Sequence, residues 1–482
     1  MSEEIGDSSF GLQVGIGTVG KTLTAIVGLI GSIALARVLG PASYGLFYVT
    51  LSIAQFLENP VSGWAKAGKK RMTETDFNSA EALGSVFFIV GLTALFIAPA
   101  AGIILSFLAS NPVTPIAAPV LFVPMAAFWS LSIVLSGQEN FSLSVWAGTV
   151  SNLLQIILMI LFVLFGFGIW GMVYGTALGA LATVPLVYRW IGIRPTIPTL
   201  STLSSIWRFA KWSIPNGFVG TALEKMDIIL LGWLVSASVA GKYQVALQVS
   251  MPAVFISGVI GSGLVGRISN LVSRNEEWHS DLQNSLSYGS VLAVPIFFGS
   301  LVVGEELVTT VFGSGYAGGG VFLIGLAAYR LIKTQTSPWN STISGLDYPQ
   351  LSFWISLVEF TTNIVLGVLL WYFYGGLGIV GATVVTAALG YITRVYTVRE
   401  LSSVNFVFPR PFLEQIGAAT TMVIVLIPIE AWFGGADTWL LLGLLLAVGG
   451  VVYVGLLLTV SDGLRRTAYA ILDDFYEEFV SS

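Results

Sequence analysis

The sequence predicts an all-α polytopic membrane protein of about 14 transmembrane helices: two pseudo-symmetric six-helix lobes, then two C-terminal helices. Three observations carry this. First, of 482 residues 55% are hydrophobic and only 10% charged, with mean hydropathy +0.85, whereas soluble domains carry about 25% charged residues. Second, fourteen apolar segments approach or exceed the roughly 20 helical residues that cross about 30 Å of hydrocarbon. Third, the first six segments resemble the next six.

In order, the segments run approximately 11–39, 44–65, 80–108, 115–136, 142–166, 168–191, 207–231, 241–265, 284–311, 318–344, 350–374, 376–398, 413–433 and 438–460. Their grouping gives an N-lobe over 1–191, a C-lobe over 192–398, two further spans over 399–460, and a cytoplasmic amphipathic tail over 461–482. Charge sets the orientation. Fifteen of the 21 cations, from Lys66 to Arg466, fall on one side, against Arg37 and Lys242 on the other, so both termini are expected in the cytoplasm. The remaining four, Lys21, Lys225, Arg330 and Lys333, lie inside spans. The opening MSEEIGDSS is acidic where a cleavable signal would be basic, so no processing is expected.

The repeat is read from matching residues. Ser136-Gly137 to Trp146 matches Ser344-Gly345 to Trp354 at an offset of 208. Gly168-Ile169-Trp170-Gly171 pairs with Gly378-Ile379-Val380-Gly381 at 210, and Gly45 pairs with Gly241 at 196. A repeat of even span number keeps its orientation, which implies an axis along the membrane normal.

With no cysteine and one histidine, disulfides, Cys/His metal sites and a His-based triad are excluded, and the acidic balance argues against nucleic-acid binding. Four GxGxxG matches reflect 54 glycines and not nucleotide sites. Gly171, Gly175 and Gly179 form a small-residue ridge for helix packing. The sequon Asn340-Ser341-Thr342 falls in or under the membrane and is expected to go unused.

Charged residues inside spans are costly, about 2.5–3.5 kcal/mol each near the centre, so they mark candidate sites. Residues 207–231 combine Pro215-Asn216-Gly217 with Glu224, Lys225 and Asp227, and backbone freed by Pro and Gly needs protein or a watery cavity, so this helix is expected to face one. Lys225 also lies within about 10 Å of the expected outer end, where snorkelling is the plainer reading. Span ten carries Arg330, Lys333, Thr334, Ser337, Ser341 and Ser344 on one face. Two cations together with no acid beside them favour an anion-binding stripe over a structural ion pair. Span eleven places Ser352, Ser356, Glu359 and Asn363 on one face, matched in span five by Ser144, Gly148, Ser151 and Gln155. Glu359 has two readings: a proton or cation carrier, or a partner of Lys333 or Arg330.

Several stretches resemble the lipid-linked oligosaccharide flippases, the polysaccharide-transporter branch of the multidrug/oligosaccharidyl-lipid/polysaccharide exporter superfamily. They are Ala36-Arg37-Val38-Leu39-Gly40-Pro41 with Tyr44-Gly45-Leu46-Phe47, Arg208-Phe209-Ala210 to Pro215, and Met226 to Gly232. Phe312-Gly313-Ser314-Gly315-Tyr316 and Gly378-Ile379-Val380-Gly381-Ala382 are similar too. The resemblance implies alternating access between two six-helix lobes, with a cationic cavity lined by spans one, two, seven and eight, moving polyprenyl phosphate- or diphosphate-linked glycans to the outer leaflet of the plasma membrane. It is a transporter's profile and not an enzyme's. Lys21 and Lys225 fall on those cavity helices, while Arg330 and Lys333, on span ten, are offered on physical grounds only; these four are the expected substrate-binding residues, and Asp227, Glu359 and Glu224 the expected couplers of transport to H+ or Na+, with no other cofactor. Partners are the polyprenyl-linked glycan, the bilayer and glycosyltransferases of the same pathway. Two alternatives stand: an organic-cation exporter of the same fold, opposed by four buried cations, and a membrane glycan polymerase, opposed by very short external loops.

Overall fold

The computed structural model is helical at every one of the fourteen apolar segments. It describes residues 2–465 apart from 75–76, 138–140, 403, 405–406, 434, 436–437 and 462, with side chains described from Thr24 onward except at 141–142 and 262. The expected tail helix over 461–482 and the Lys21 side chain therefore lie outside the described residues.

Two compact units form, Met1–Gly241 and Lys242–Ser482. The first holds α1 (Ser2–Met72), α2 (Ser79–Leu92), α3 (Ala98–Leu108), α4 (Thr114–Leu135), α5 (Phe141–Phe162), α6 (Ile169–Ile191), α7 (Leu200–Leu230) and the first residues of α8 (Ala237–Ser250). The second continues with α9 (Phe255–Ser273), α10 (His279–Gly289), α11 (Ala293–Phe312), α12 (Gly320–Gly345), α13 (Pro349–Tyr374), α14 (Gly376–Leu401), α15 (Arg410–Phe433) and α16 (Trp439–Val460). The compact units divide after Gly241, because contacts place α7 with α1.

Among the described residues, eleven helices are long and apolar enough to cross a membrane. One of them, Thr24–Met72, takes in residues 24–39 of the first segment and all of the second, with Gly40 at φ 71° and ψ 170° breaking α1 between them ahead of Pro41. The two helices absent from the eleven are α7 and α12, the pair whose polar stripes lower their hydropathy.

Small residues set the helix spacing in the first unit. A Cβ on Gly175 would lie 2.4 Å from Met159 N, and one on Gly179 2.6 Å from Gln155 Cγ, so the glycine ridge of α6 packs directly on α5. A reciprocal contact joins the starts of two repeated segments: Gly45 packs on Ala237 O, where a Cβ would come to 1.9 Å, and Gly241 on Pro41 O at 2.1 Å. Both pairs differ by 196 residues, the offset read from sequence.

The α4–α5 and α12–α13 corners share the 208 offset in detail. Ser144 Oγ donates to Ser132 O at 3.1 Å, and Ser352 Oγ donates to Asn340 Oδ1 at 2.7 Å. The 210 offset is corrected. Gly168 (φ 56°, ψ −134°) and Gly375 (φ 59°, ψ −138°) make the same turn, while Gly171 packs on Val163 and Gly378 on Leu370, all at 207. Gly- and Thr-rich runs match in more than one register; the glycine whose φ is positive decides between them.

Candidate functional site

The polar face of α7 meets a second polar face in the first unit. On α1, Gln55, Glu58, Asn59, Ser62 and Lys66 recur at i, i+3, i+4, i+7 and i+11. On α7, Ser213, Asn216, Gly217, Gly220, Thr221 and Glu224 do the same. With Trp129 and Ile133 of α4 they line two adjoining, open-sided compartments of about 320 and 340 Å³ that share Asn59, Ser62, Lys66, Thr221 and Glu224. Residues 207–231 thus line a polar cavity.

Proline chemistry shapes the wall. Pro60 has no N–H, so the carbonyl of Phe56 loses its intrahelical donor. Asn59 supplies one: its Nδ2 donates to Phe56 O at 3.3 Å and Gln55 O at 3.4 Å, which turns Oδ1 toward α7. There it accepts from Thr221 Oγ1 at 3.0 Å. A Cβ on Gly217 would reach 3.0 Å from that oxygen, and one on Gly63 2.6 Å from Ile214, so glycines on both helices permit the crossing. Asn59 is 4% exposed and pins α1 to α7.

The expected residues of this helix separate. Glu224 is exposed and lines both compartments. Lys225 is half-buried, lines one of them and is engaged within the protein. The helical path continues through a wider turn at Leu231–Val235, so Lys225 lies about 15 Å from its end, deeper than the sequence expectation. Asp227 is 7% exposed, engaged, and outside both compartments. The α1 stripe is not among the sequence expectations, although the spacing test applied to span ten finds it.

In the second unit, Glu359 is 6% exposed and its Oε2 accepts from Arg394 Nη1 at 2.9 Å, while Lys333 Nζ stands 3.6 Å from Oε1. Arg394, 3% exposed, also donates to Asn340 Oδ1 at 3.1 Å, Ser356 Oγ at 3.2 Å and Gly390 O at 3.1 Å, tying α12, α13 and α14 together. Asn340, which heads the sequon, gives its Oδ1 to this network as acceptor for both Arg394 and Ser352. Sequence reasoning counted Arg394 among cytoplasmic helix ends, although it falls inside segment 376–398. In the first repeat the equivalent crossing is neutral, Thr183 Oγ1 donating to Ser151 Oγ at 3.2 Å. Arg330 does not touch Glu359: its Nε is buried without a hydrogen bond, and its guanidinium carbon lies 5.7 Å from the Tyr329 ring. Two cations share one carboxylate and a third lacks any, so this face of α12 carries surplus positive charge.

Residues 34–318 match the family described as polysaccharide biosynthesis protein. The chain belongs to that family. A probable flippase of Haloferax volcanii, AglR, is 26% identical over 77% of this chain and 79% of its own length. A second protein of that organism, the probable low-salt glycan biosynthesis flippase Agl15, is 23% identical over 91% of this chain and 93% of its own. Among solved structures, the lipid II flippase MurJ in an inward closed conformation superposes with a TM-score of 0.76 at 16% identity, covering 96% of this chain and 99% of that one. An inward-facing multidrug transporter of the MATE family, within the MOP superfamily, gives 0.58 at 14% identity over 80% and 96%. The fold is shared with these two solved proteins, and the chain is a multi-pass membrane protein of the polysaccharide biosynthesis family.

Proposed function

We propose that this member of the family is a flippase that carries lipid-linked glycans, polyprenyl phosphate or diphosphate bearing sugars, from the inner to the outer leaflet of the plasma membrane. The polar cavity of α1, α4 and α7 carries the reading. Under the positive-inside orientation, with both termini cytoplasmic, its walls come from the inner to middle parts of three spans, where a headgroup made on the cytoplasmic face enters. A headgroup rejected by hydrocarbon needs such a polar enclosure. Two relatives, one named a probable flippase and one a probable low-salt glycan biosynthesis flippase, support it.

The substrate-binding residues are Lys21, Lys225, Arg330 and Lys333, with the unpartnered Arg330 Nε and the surplus charge of α12 suited to phosphate. Transport proceeds by alternating access, with the repeat halves 1–191 and 192–398 as moving bodies. Asp227, Glu359 and Glu224 are the coupling candidates for H+ or Na+. Glu224, on the open wall, is the one an ion reaches without displacing a bound cation; at Glu359 the ion has to displace Lys333 or Arg394. Glycosyltransferases of the same pathway supply the cargo.

An organic-cation exporter is favoured by one observation, the two carboxylates beside Trp129, since cations suit acidic and aromatic walls. Lys66 and Lys225 in the same wall offset them. The test is purified protein in liposomes with a polyprenyl phosphate-linked sugar. Leaflet exchange is expected, and alanine at all four substrate-binding cations abolishes it. Exchange unchanged by that variant, or transport of cationic dyes in its place, refutes the assignment.

A further inference from the structure

We propose that the cavity of α1, α4 and α7 is a sugar subsite, built for the uncharged polyol of the cargo and not for its phosphate. The inference rests on the lipid-linked glycan reading and specifies what this wall recognises.

The lining chemistry comes first. The described lining holds acidic and ammonium side chains in equal number, Glu58 and Glu224 with Lys66 and Lys225, among neutral amides and hydroxyls. A sugar needs acceptors for its hydroxyl protons and donors for its hydroxyl oxygens, and carboxylate acceptors are stronger than neutral ones. Gln55, Ser213 and Asn216 line the compartments and make no side-chain hydrogen bond among the described residues, which leaves their amide and hydroxyl groups to a ligand.

Trp129 is the second observation. Its ring is 38% exposed on the cavity side of α4 and meets the buried Phe128 edge-on, with centroids 5.2 Å apart at 69°. An apolar plate held beside carboxylates and amides matches a pyranose, which has an apolar C–H face and a polar rim. A phosphate uses no such plate.

The test measures binding to the full chain in lipid nanodiscs, with polyprenyl phosphate carrying one hexose and bare polyprenyl phosphate as probes. The wild type is expected to hold the hexosyl lipid about tenfold tighter or better, the scale of one or two net hydrogen bonds. Trp129→Ala, Gln55→Ala and Asn216→Ala each remove most of that preference and leave the Kd of the bare lipid within about twofold. Trp129→Phe retains the preference, and melting of each variant in the same nanodiscs confirms its fold. Equal affinity of the wild type for the two lipids overturns the inference, as does a loss of bare-lipid binding equal to the loss of hexosyl-lipid binding. Binding of neither lipid overturns the glycan-lipid reading itself, and this subsite with it.

Discussion

Replacing Arg394 by Met removes a charge that α14 buries completely while keeping most of the stem volume. Four donated hydrogen bonds go with it: to Glu359 at 2.9 Å, Asn340 at 3.1 Å, Ser356 at 3.2 Å and Gly390 O at 3.1 Å. The three neutral acceptors contribute about 2 kcal/mol together, at roughly 0.6 kcal/mol for a hydrogen bond inside a membrane protein. The charge weighs more. Glu359 stays buried with only Lys333 at 3.6 Å, and an uncompensated partner of a buried ion pair costs about 3–5 kcal/mol. Because Lys333 offsets part of this, the expected loss for Arg394→Met is about 4 kcal/mol, roughly a thousandfold in the folded-to-unfolded ratio. Glu359→Gln leaves two cations facing each other and loses at least as much. The double variant Glu359→Leu/Arg394→Met removes both charges and recovers more than half of either loss, since apolar replacement of a whole buried pair is close to neutral. Denaturation in mixed micelles, followed by circular dichroism, reads all three. Single variants within about 0.5 kcal/mol of wild type, or a double variant as unstable as the sum of the singles, refute the reasoning.

Gly390→Ala tests the same cluster by shape alone. Its new Cβ would sit 2.9 Å from Glu359 Cδ and from Arg394 Nη1, so a loss of about 1–3 kcal/mol is expected in the same denaturation assay. Gly45→Ala and Gly241→Ala each drive a methyl group onto a carbonyl that cannot give way, at 1.9 Å and 2.1 Å. Both should fall at or beyond the upper end of that range, near 3 kcal/mol, while Gly28→Ala, with nothing within 4 Å, should be neutral or stabilising.

Span number and order were legible because hydropathy is a property of one segment at a time. The face of span seven was legible for a related reason: Pro215, Asn216 and Gly217 beside Glu224 and Lys225 are too costly for a lipid-facing helix. The α1 stripe was equally present at i, i+3, i+4, i+7 and i+11, but Gln55, Asn59 and Ser62 are neutral and drew no notice. Arg394 was hidden differently. An arginine seven residues from a helix end fits a snorkelling cation as well as a buried one, and only the carboxylate of α13 separates the two.

What the chain determined by itself is the helical plan: fourteen apolar segments, a doubled pattern, and two helices less apolar than the rest. Each follows from local composition and period, summed along one strand of sequence. Tertiary structure alone decided which polar faces meet. It set Asn59 against Thr221, joined Glu359 to Arg394 and Lys333 but not to Arg330, and chose 207 over 210 as the repeat register. Such choices depend on distances between residues far apart in the chain, and at a few ångströms a carboxylate's partner, not its cost of burial, fixes what it can do.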